Sequence, residues 1–490
     1  MVQINYTKDL SSELTTATAL STLDGRYWNK LHTLANKFSE AGLQRGRVTV
    51  DVRYLLALSD REIVRRFGEQ ERMFLNSLYQ DFGPNEFYDL KKIERGPAKG
   101  ADVKAVELYI KSKLQGSSLE DVIEMVRFAL TSEDSTNLAL MLLTQMAVKE
   151  DYLPPLVDVT KKLADMSVAY KNTAMLARTH GRPAQPTTFG KEMGIVARRV
   201  AKLAKKIYGI KLEGKLSGAV GNLSDHYSAF PDVDWIKFSE DFVSELGLTP
   251  NIFTTQILPY DEVVDLFGKM KDTNEVLIGL AQDMWHYIMD DWVLLTKGGI
   301  SSVMPQKINP ENYERGEGSL QIANNDLSFL RKKLPTSRLQ RDLSNSLATR
   351  KFGDAFGYSI LSYQNLLEGL NASEPDSNEM LTALRKHPEI ISSMIQSVLR
   401  RAGQKKPYDS LQELTRGKKL SLIDLRNFAM ELKVDNETKE RLLALNPETS
   451  YGAAPKIAER AAFEANEIID EIKGLKKKNL ILMPKVKLKK

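Results

Sequence analysis

The sequence predicts an all-α protein built around a bundle of long helices. Three observations carry that expectation. Apolar residues recur at spacings of three and four over long stretches. The alternation of a half-buried strand is scarce. Prolines and glycines fall mainly at the ends of the periodic stretches, where they punctuate helices instead of breaking them.

Four stretches show the pattern most clearly. Leu156, Val159, Leu163, Met166 and Tyr170 follow Pro154-Pro155, a favourable helix start. Met193, Val196, Val200, Leu203, Ile207 and Ile210 repeat the rhythm, with Gly214 as the expected stop. A third helix is expected over about 261–297, with Leu266, Met270, Leu277, Leu280, Met284 and Ile288 on one side. Leu320, Ala323, Leu327, Leu330 and Leu334 form the fourth stripe, before Pro335. Narrow stripes of near-heptad spacing call for nearly parallel partners, hence a bundle. Three helical domains are expected. Residues 1–120 form a mixed N-terminal domain, 121–370 the long-helix domain and 371–490 a smaller helical domain. The last is entered through a hinge at Asn371-Ala372-Ser373-Glu374-Pro375-Asp376 and ends in a lysine-rich tail.

The bulk numbers suit that plan. A chain of 490 residues with 42% hydrophobic and 27% charged residues is ordinary for a globular protein of about two to four domains. It has no cysteine, which excludes disulfides and thiolate metal sites. No apolar run is long enough to span a bilayer, and the first residues lack the layout of a signal peptide, so no membrane association and a cytoplasmic location are expected. The net charge of +5 becomes −3 once the eight lysines of residues 473–490 are set aside, so the body gives no case for nucleic-acid binding. A solvated terminus is the simpler reading of the tail.

Four polar, turn-rich stretches interrupt the helices. Thr131-Ser132-Glu133-Asp134 has the form of a helix cap. Arg178-Thr179-His180-Gly181-Arg182-Pro183 places a histidine, one of five, in a turn between long helices, a position suited to proton transfer near neutral pH. Gly298-Gly299-Ile300-Ser301-Ser302-Val303-Met304-Pro305-Gln306-Lys307-Ile308-Asn309-Pro310 begins with a glycine pair expected to be flexible, and has the make-up of a lid carrying a base and a cation. Arg338 to Arg350 carries arginines and hydroxyls suited to phosphate or carboxylate. No phosphate-loop, dinucleotide-binding or zinc-protease motif occurs, and metal ligation has no support.

Ser301-Ser302-x-Met304-Pro305-x-Lys307-x-Asn309-Pro310 resembles the hallmark of the fumarase/aspartase superfamily. Further segments resemble its adenylosuccinate lyase family, of the longer bacterial type, over most of the chain. They include Leu23-Asp24-Gly25-Arg26-Tyr27, the segment beginning at Asp102, Thr131-Ser132-Glu133-Asp134 and Arg178 to Ala184. Gly218 to Asn222, Pro231 to Trp235, Thr254-Thr255-Gln256-Ile257, Gln340-Arg341-Asp342-Leu343 and Glu413 to Lys418 complete the set. The resemblance implies cofactor-free β-elimination of fumarate from adenylosuccinate and from the succinyl-carboxamide intermediate of purine synthesis. It assigns Ser301 as base and His180 as acid, with Glu314 orienting the histidine. Lys307 and Asn309 are assigned to the succinyl carboxylates. Arg26, Tyr27, Arg341, Ser346 and Arg350 are assigned to phosphate and ribose, and Thr131, Ser132 and Gln256 to the succinyl end or the base. Asp102, Arg127 and Arg315 complete the implied substrate contacts. It also implies a homotetramer with a twenty-helix core and sites shared between chains.

The chain departs from the family pattern at three places. Ala101 stands where the family usually carries a second candidate histidine for proton transfer, Arg127 where it often carries histidine, and Arg315 where close bacterial relatives carry asparagine. Ala101 favours one alternative, a paralogous lyase acting on another succinyl-amine. A non-catalytic helical scaffold is the other; it gives no reason for Ser301, His180 and Lys307 to occur together.

Overall fold

The computed structural model describes residues 14–300, 303–415 and 420–481. Helices dominate, and the strands are short and pair two by two. The chain divides into two compact units that do not follow sequence order. One comprises residues 1–155, 206–274 and 319–362; the other comprises 156–205, 275–318 and 363–490.

In the first unit, the helix Glu40–Asp60 is almost wholly enclosed. Val48, Val50, Val52, Tyr54, Leu55 and Leu58 are fully buried. Ser39 caps its start by accepting from the Gly42 amide at 3.0 Å. Gly46 lets it approach the helix Ser132–Ala147 closely, since a β-carbon there would press on Ala139 and Leu143. An aromatic cluster fills the neighbouring core, with Tyr54 edge-on to Phe238 at 5.8 Å and Trp235 against His226 at 4.8 Å. The fourth expected stripe is confirmed: Leu320, Ala323, Leu327, Leu330 and Leu334 are all fully buried. A polar junction accompanies them, where Asn274 Nδ2 donates to Asn324 Oδ1 at 3.0 Å and to Ser359 Oγ at 3.2 Å.

The second unit holds most of the helix Leu153–Ala169, whose Leu156, Val159, Leu163 and Met166 are buried as the spacing implies. Its crossings are built from small residues. A β-carbon on Gly190 or Gly194 would collide with Ser167, and Ser167 Oγ donates to the carbonyl of Ala458 at 3.0 Å. This explains a shift in the buried face of the helix Phe189–Gly209. Ala197, Ala201 and Ala204 are buried with Met193, Val200 and Ile207, whereas Val196 and Leu203 are only half-buried.

Several boundaries differ from expectation. The second helix ends at Gly209, not Gly214; Gly214 lies in a two-residue strand paired with Thr249–Pro250, against the side chains of Leu138 and Val243. The third helix spans Asp261–Met289 and ends there because Asp291 turns into the left-handed region (φ 58°), which lets the Trp292 amide bond to the Tyr287 carbonyl at 2.8 Å. The expected hinge at 371–376 includes a strand, Ser373–Pro375, that pairs antiparallel with Val293–Leu295. Asp376 then caps the helix Ser377–Arg385. The histidine-bearing turn is a β-hairpin, Ala174–Thr179 with Arg182–Thr188. Its prolines and irregular register mask the strand alternation in the sequence.

Candidate active site

The sequence-derived residues fall into two groups, one in each unit. In the first unit, Arg341 is the hub. Its Nη1 donates to Ser132 Oγ at 2.6 Å and to Gln256 Oε1 at 3.0 Å, while Nη2 lies 2.9 Å from Glu133 Oε1. The structure thus brings together three segments far apart in sequence. Gln256 is oriented from its other end, where Nε2 donates to the carbonyl of Ala219 at 2.7 Å. Ser132 opens its helix, where amides without intrahelical partners favour an anion, and the Thr131 amide donates to Asp134 Oδ2 at 2.9 Å. Burial pushes the Glu133 carboxyl above its ordinary range, against the opposing pull of Arg341. Arginine, hydroxyl and amide side chains converging at a helix start can hold an anionic group such as phosphate or carboxylate.

Other residues of this unit are engaged differently. Arg127 faces inward: it lies 3.1 Å from Asp51 Oδ2 and donates to the carbonyl of Thr131 at 3.1 Å. Burial pushes Asp51 up to about 6 despite the Arg127 charge beside it. Arg127 therefore supports the Thr131 backbone from within. Asp102 pairs with Arg47 at 2.7 Å. Burial acts to raise its pKa, but the charge and hydrogen bond of Arg47 outweigh that and hold it below the usual range. Ala101 precedes Asp102 at the end of a turn in which Lys99 and Gly100 both take positive φ. Arg350 pairs with Glu40. Ser346 is exposed, and the exposed Arg26 lies 5.8 Å from the ring of Tyr27.

The second unit presents His180 at the tip of the hairpin. Thr179 pairs with Arg182, so the loop is only His180-Gly181, with φ of 54° and 71°. Positive φ at both positions is the signature of a type I′ turn, and histidine is among the few side-chain-bearing residues that enter this region readily. His180 is exposed at that tip, so its ring is accessible.

The loop with the serine pair is closed at its base. Gly299 pairs with Asn309 and Ile300 with Ile308, antiparallel. Both glycines sit where a side chain has no room. A β-carbon on Gly298 would strike Ile308 and Asn309, and one on Gly299 would overlap the Glu311 carboxylate. Lys307 is exposed and its amide bonds to the carbonyl of Met304 at 3.0 Å. Ser301 lies outside the described residues. Glu314 and Arg315 follow on the helix Glu311–Lys333, where Glu314 Oε1 accepts from Trp285 Nε1 at 3.2 Å and Arg315 pairs with Glu311. Among the described residues no hydrogen bond joins His180 to Glu314. Sequence reasoning missed Trp285 as a partner of Glu314 and Glu133 as a partner of Arg341, because neither contact has a fixed spacing along the chain.

Comparison with known proteins decides the assignment. A family described as Lyase matches residues 25–322, and one described as Adenylosuccinate lyase C-terminal matches residues 337–451. The chain is 40% identical to adenylosuccinate lyase of Haemophilus influenzae over 91% of its own length and 99% of that protein. It belongs to the adenylosuccinate lyase family. The Escherichia coli family member is 38% identical, over 90% of this chain and 98% of its own. Solved structures agree on the fold. A fumarate lyase of a Mesorhizobium species superposes with a TM-score of 0.72 at 16% identity, covering 88% of this chain and 98% of its own. The 3-carboxy-cis,cis-muconate lactonizing enzyme of Pseudomonas putida gives 0.71 at 17%, covering 89% and 97%. As a member of the adenylosuccinate lyase family the chain is a C–N lyase. Among its described residues no helix is long and apolar enough to cross a membrane.

Proposed function

We propose that the chain cleaves adenylosuccinate to AMP and fumarate, and the corresponding succinyl-carboxamide nucleotide to its carboxamide and fumarate. The reaction is a β-elimination. A proton leaves the carbon next to a succinyl carboxylate, the C–N bond breaks, a C=C bond forms and the departing nitrogen takes a proton. Such chemistry needs a base, an acid and fixed positive charge facing the carbanion.

Ser301 is assigned the base role and His180 the acid role, with Lys307 and Asn309 on the succinyl carboxylates. Arg341 is assigned to phosphate and ribose with Arg26, Tyr27, Ser346 and Arg350, and Ser132 and Gln256, bonded to it, to the succinyl end or the base. The observation that carries this reading is the convergence of Arg341, Ser132 and Gln256 from three remote segments. The accessible His180 at its turn supports it. Thr131 remains assigned to the succinyl end or the base, and Asp102 and Arg315 to the substrate, while Arg127 supports the Thr131 backbone. Ala101 cannot transfer a proton, so protonation of nitrogen rests on His180.

The working form is a cytoplasmic homotetramer in which separate copies supply the two groups of residues to each site. Exposed Ile322 and Phe329, seven residues apart on one long helix, support association through that face. Glu314 keeps its assigned role of orienting His180. The test follows the absorbance of adenylosuccinate with purified protein. Conversion to AMP and fumarate is expected; no conversion at high enzyme concentration refutes the reading. Conversion of a different succinyl-amine alone would favour the paralogue that Ala101 suggests.

A further inference from the structure

The carboxylate of Asp134 and the ammonium of Lys215 lie 2.8 Å apart, and both side chains are completely buried. A buried ion pair is a poor source of stability, because desolvating two charges offsets most of their attraction. Its other contacts indicate a different role. Besides Lys215, Asp134 accepts from the Thr131 amide at 2.9 Å, the Ser217 amide at 3.0 Å and the Gly218 amide at 3.2 Å. Lys215 Nζ also donates to the Gly218 carbonyl at 3.2 Å. One helical turn further on, Asn137 clamps the Lys215 backbone from both sides, accepting from its amide at 2.9 Å and donating to its carbonyl at 3.0 Å.

The segment so held leads into the site. Ser217 Oγ meets Thr254 Oγ1 at 2.9 Å, and Ala219 accepts from Gln256 Nε2. Gly221, at φ 79°, lies so close to the Thr254 backbone that a β-carbon would overlap it. Gln256 then meets Arg341, which also holds Ser132 two residues before Asp134. The contacts form a closed circuit from the start of the helix Ser132–Ala147 through residues 215–221 and 254–256 and back to Ser132. We propose that the buried Asp134–Lys215 pair is a positioning pair, setting the distance between Ser132 and Gln256 at which Arg341 and the substrate anion fit. A charged centre accepting from several backbone amides has a steeper dependence on geometry than an apolar contact, which suits it to fix loops. This inference rests on the function proposed above for the Arg341 cluster.

The experiment compares wild type with Asp134→Asn, Lys215→Met and the double variant, all full length. Each single variant leaves a lone buried charge and lowers the melting temperature. The double variant removes both charges and recovers most of it. Its KM for adenylosuccinate nevertheless stays raised at least tenfold, and amide exchange of residues 215–221 and 254–256 is at least tenfold faster than in wild type. A merely structural pair would lower the amount of active enzyme without moving KM. Wild-type KM together with wild-type exchange in the double variant overturns the proposal. Exchange reads the positioning without reference to turnover, so a wild type inactive on adenylosuccinate refutes the functional reading and leaves this readout decisive. Should the double variant fail to fold, Thr254→Val removes only the hydroxyl contact to Ser217. A raised KM at near-native melting temperature then supports the proposal, and an unchanged KM overturns it.

Discussion

Gly299 and Asn309 are cross-strand partners, so the loop that carries Lys307 leaves and returns at one point. A β-carbon at 299 would overlap the Glu311 carboxylate, so a side chain there must displace it. Gly299→Ala is expected to lower kcat/KM about tenfold or more, as small displacements of a lid are magnified in rate. Removing the obstructing carboxylate as well, in Gly299→Ala/Glu311→Ala, should return part of the activity. Steady-state kinetics of the single and double variants check this, and a double variant no better than Gly299→Ala would refute the steric account.

His180 has two separable duties, filling a left-handed turn and transferring a proton. Asparagine suits the turn at least as well but has no titratable nitrogen. His180→Asn should therefore melt within a few degrees of wild type while losing about 10²-fold or more in kcat. A nearly full rate would remove His180 from the acid role.

Arg341 makes three directed contacts, to Ser132, Gln256 and Glu133. Lysine keeps the charge but not the fork. Arg341→Lys is expected to lower kcat/KM by about 2–3 kcal/mol, on the order of 30- to 150-fold, the worth of charge-assisted hydrogen bonds. Binding of AMP, followed by calorimetry, should weaken in parallel.

Shared sites make a further demand. His180→Asn lies in one group of site residues and Arg341→Met in the other. If different copies supply the two groups, mixing the two inactive variants under conditions that exchange subunits restores measurable turnover. Absence of recovery after verified exchange would place the two groups in sites built by single chains.

His226 is buried, with Tyr54 Oη 3.2 Å from its Nε2 and its Nδ1 without a hydrogen-bond partner among the described residues. Burial lowers its pKa to about 4, against the opposing charges of Asp134 and Asp225. The unfolded chain therefore binds a proton below about 6.5 that the folded chain refuses until about 4. Stability falls as pH drops through that window, by up to about 3 kcal/mol. Asp51, raised to about 6, acts in the opposite sense, because the unfolded chain loses a proton there before the folded one. Comparison with His226→Gln cancels that contribution. The stability advantage of wild type over the variant, from urea unfolding, should shrink from pH 7 to pH 4.5; a constant difference would refute the assignment.

The stripe Leu320, Ala323, Leu327, Leu330 and Leu334 was legible because burial on a helix repeats every three or four residues. The face of Phe189–Gly209 was less so. Ala197, Ala201 and Ala204 carry little hydrophobic signal, yet small side chains are what close helix crossings select. The helix end at Met289 escaped notice because Asp291 in the left-handed region carries no glycine signal. The hairpin was hidden by its prolines. Among the site residues, the sequence offered the types: a histidine in a turn, arginines with hydroxyls, and a lysine after Met304-Pro305.

By itself the sequence determined the helical class and the family, and it supplied the candidate side chains for the chemistry. Local periodicity and contiguous motifs are written in neighbouring residues. Only the tertiary structure decided the partners: Glu133 and Gln256 for Arg341, Lys215 for Asp134, Asp51 for Arg127 and Trp285 for Glu314. Such pairs join segments far apart along the chain. They form only when packing brings those segments together, and no spacing rule encodes which of many charged residues will meet.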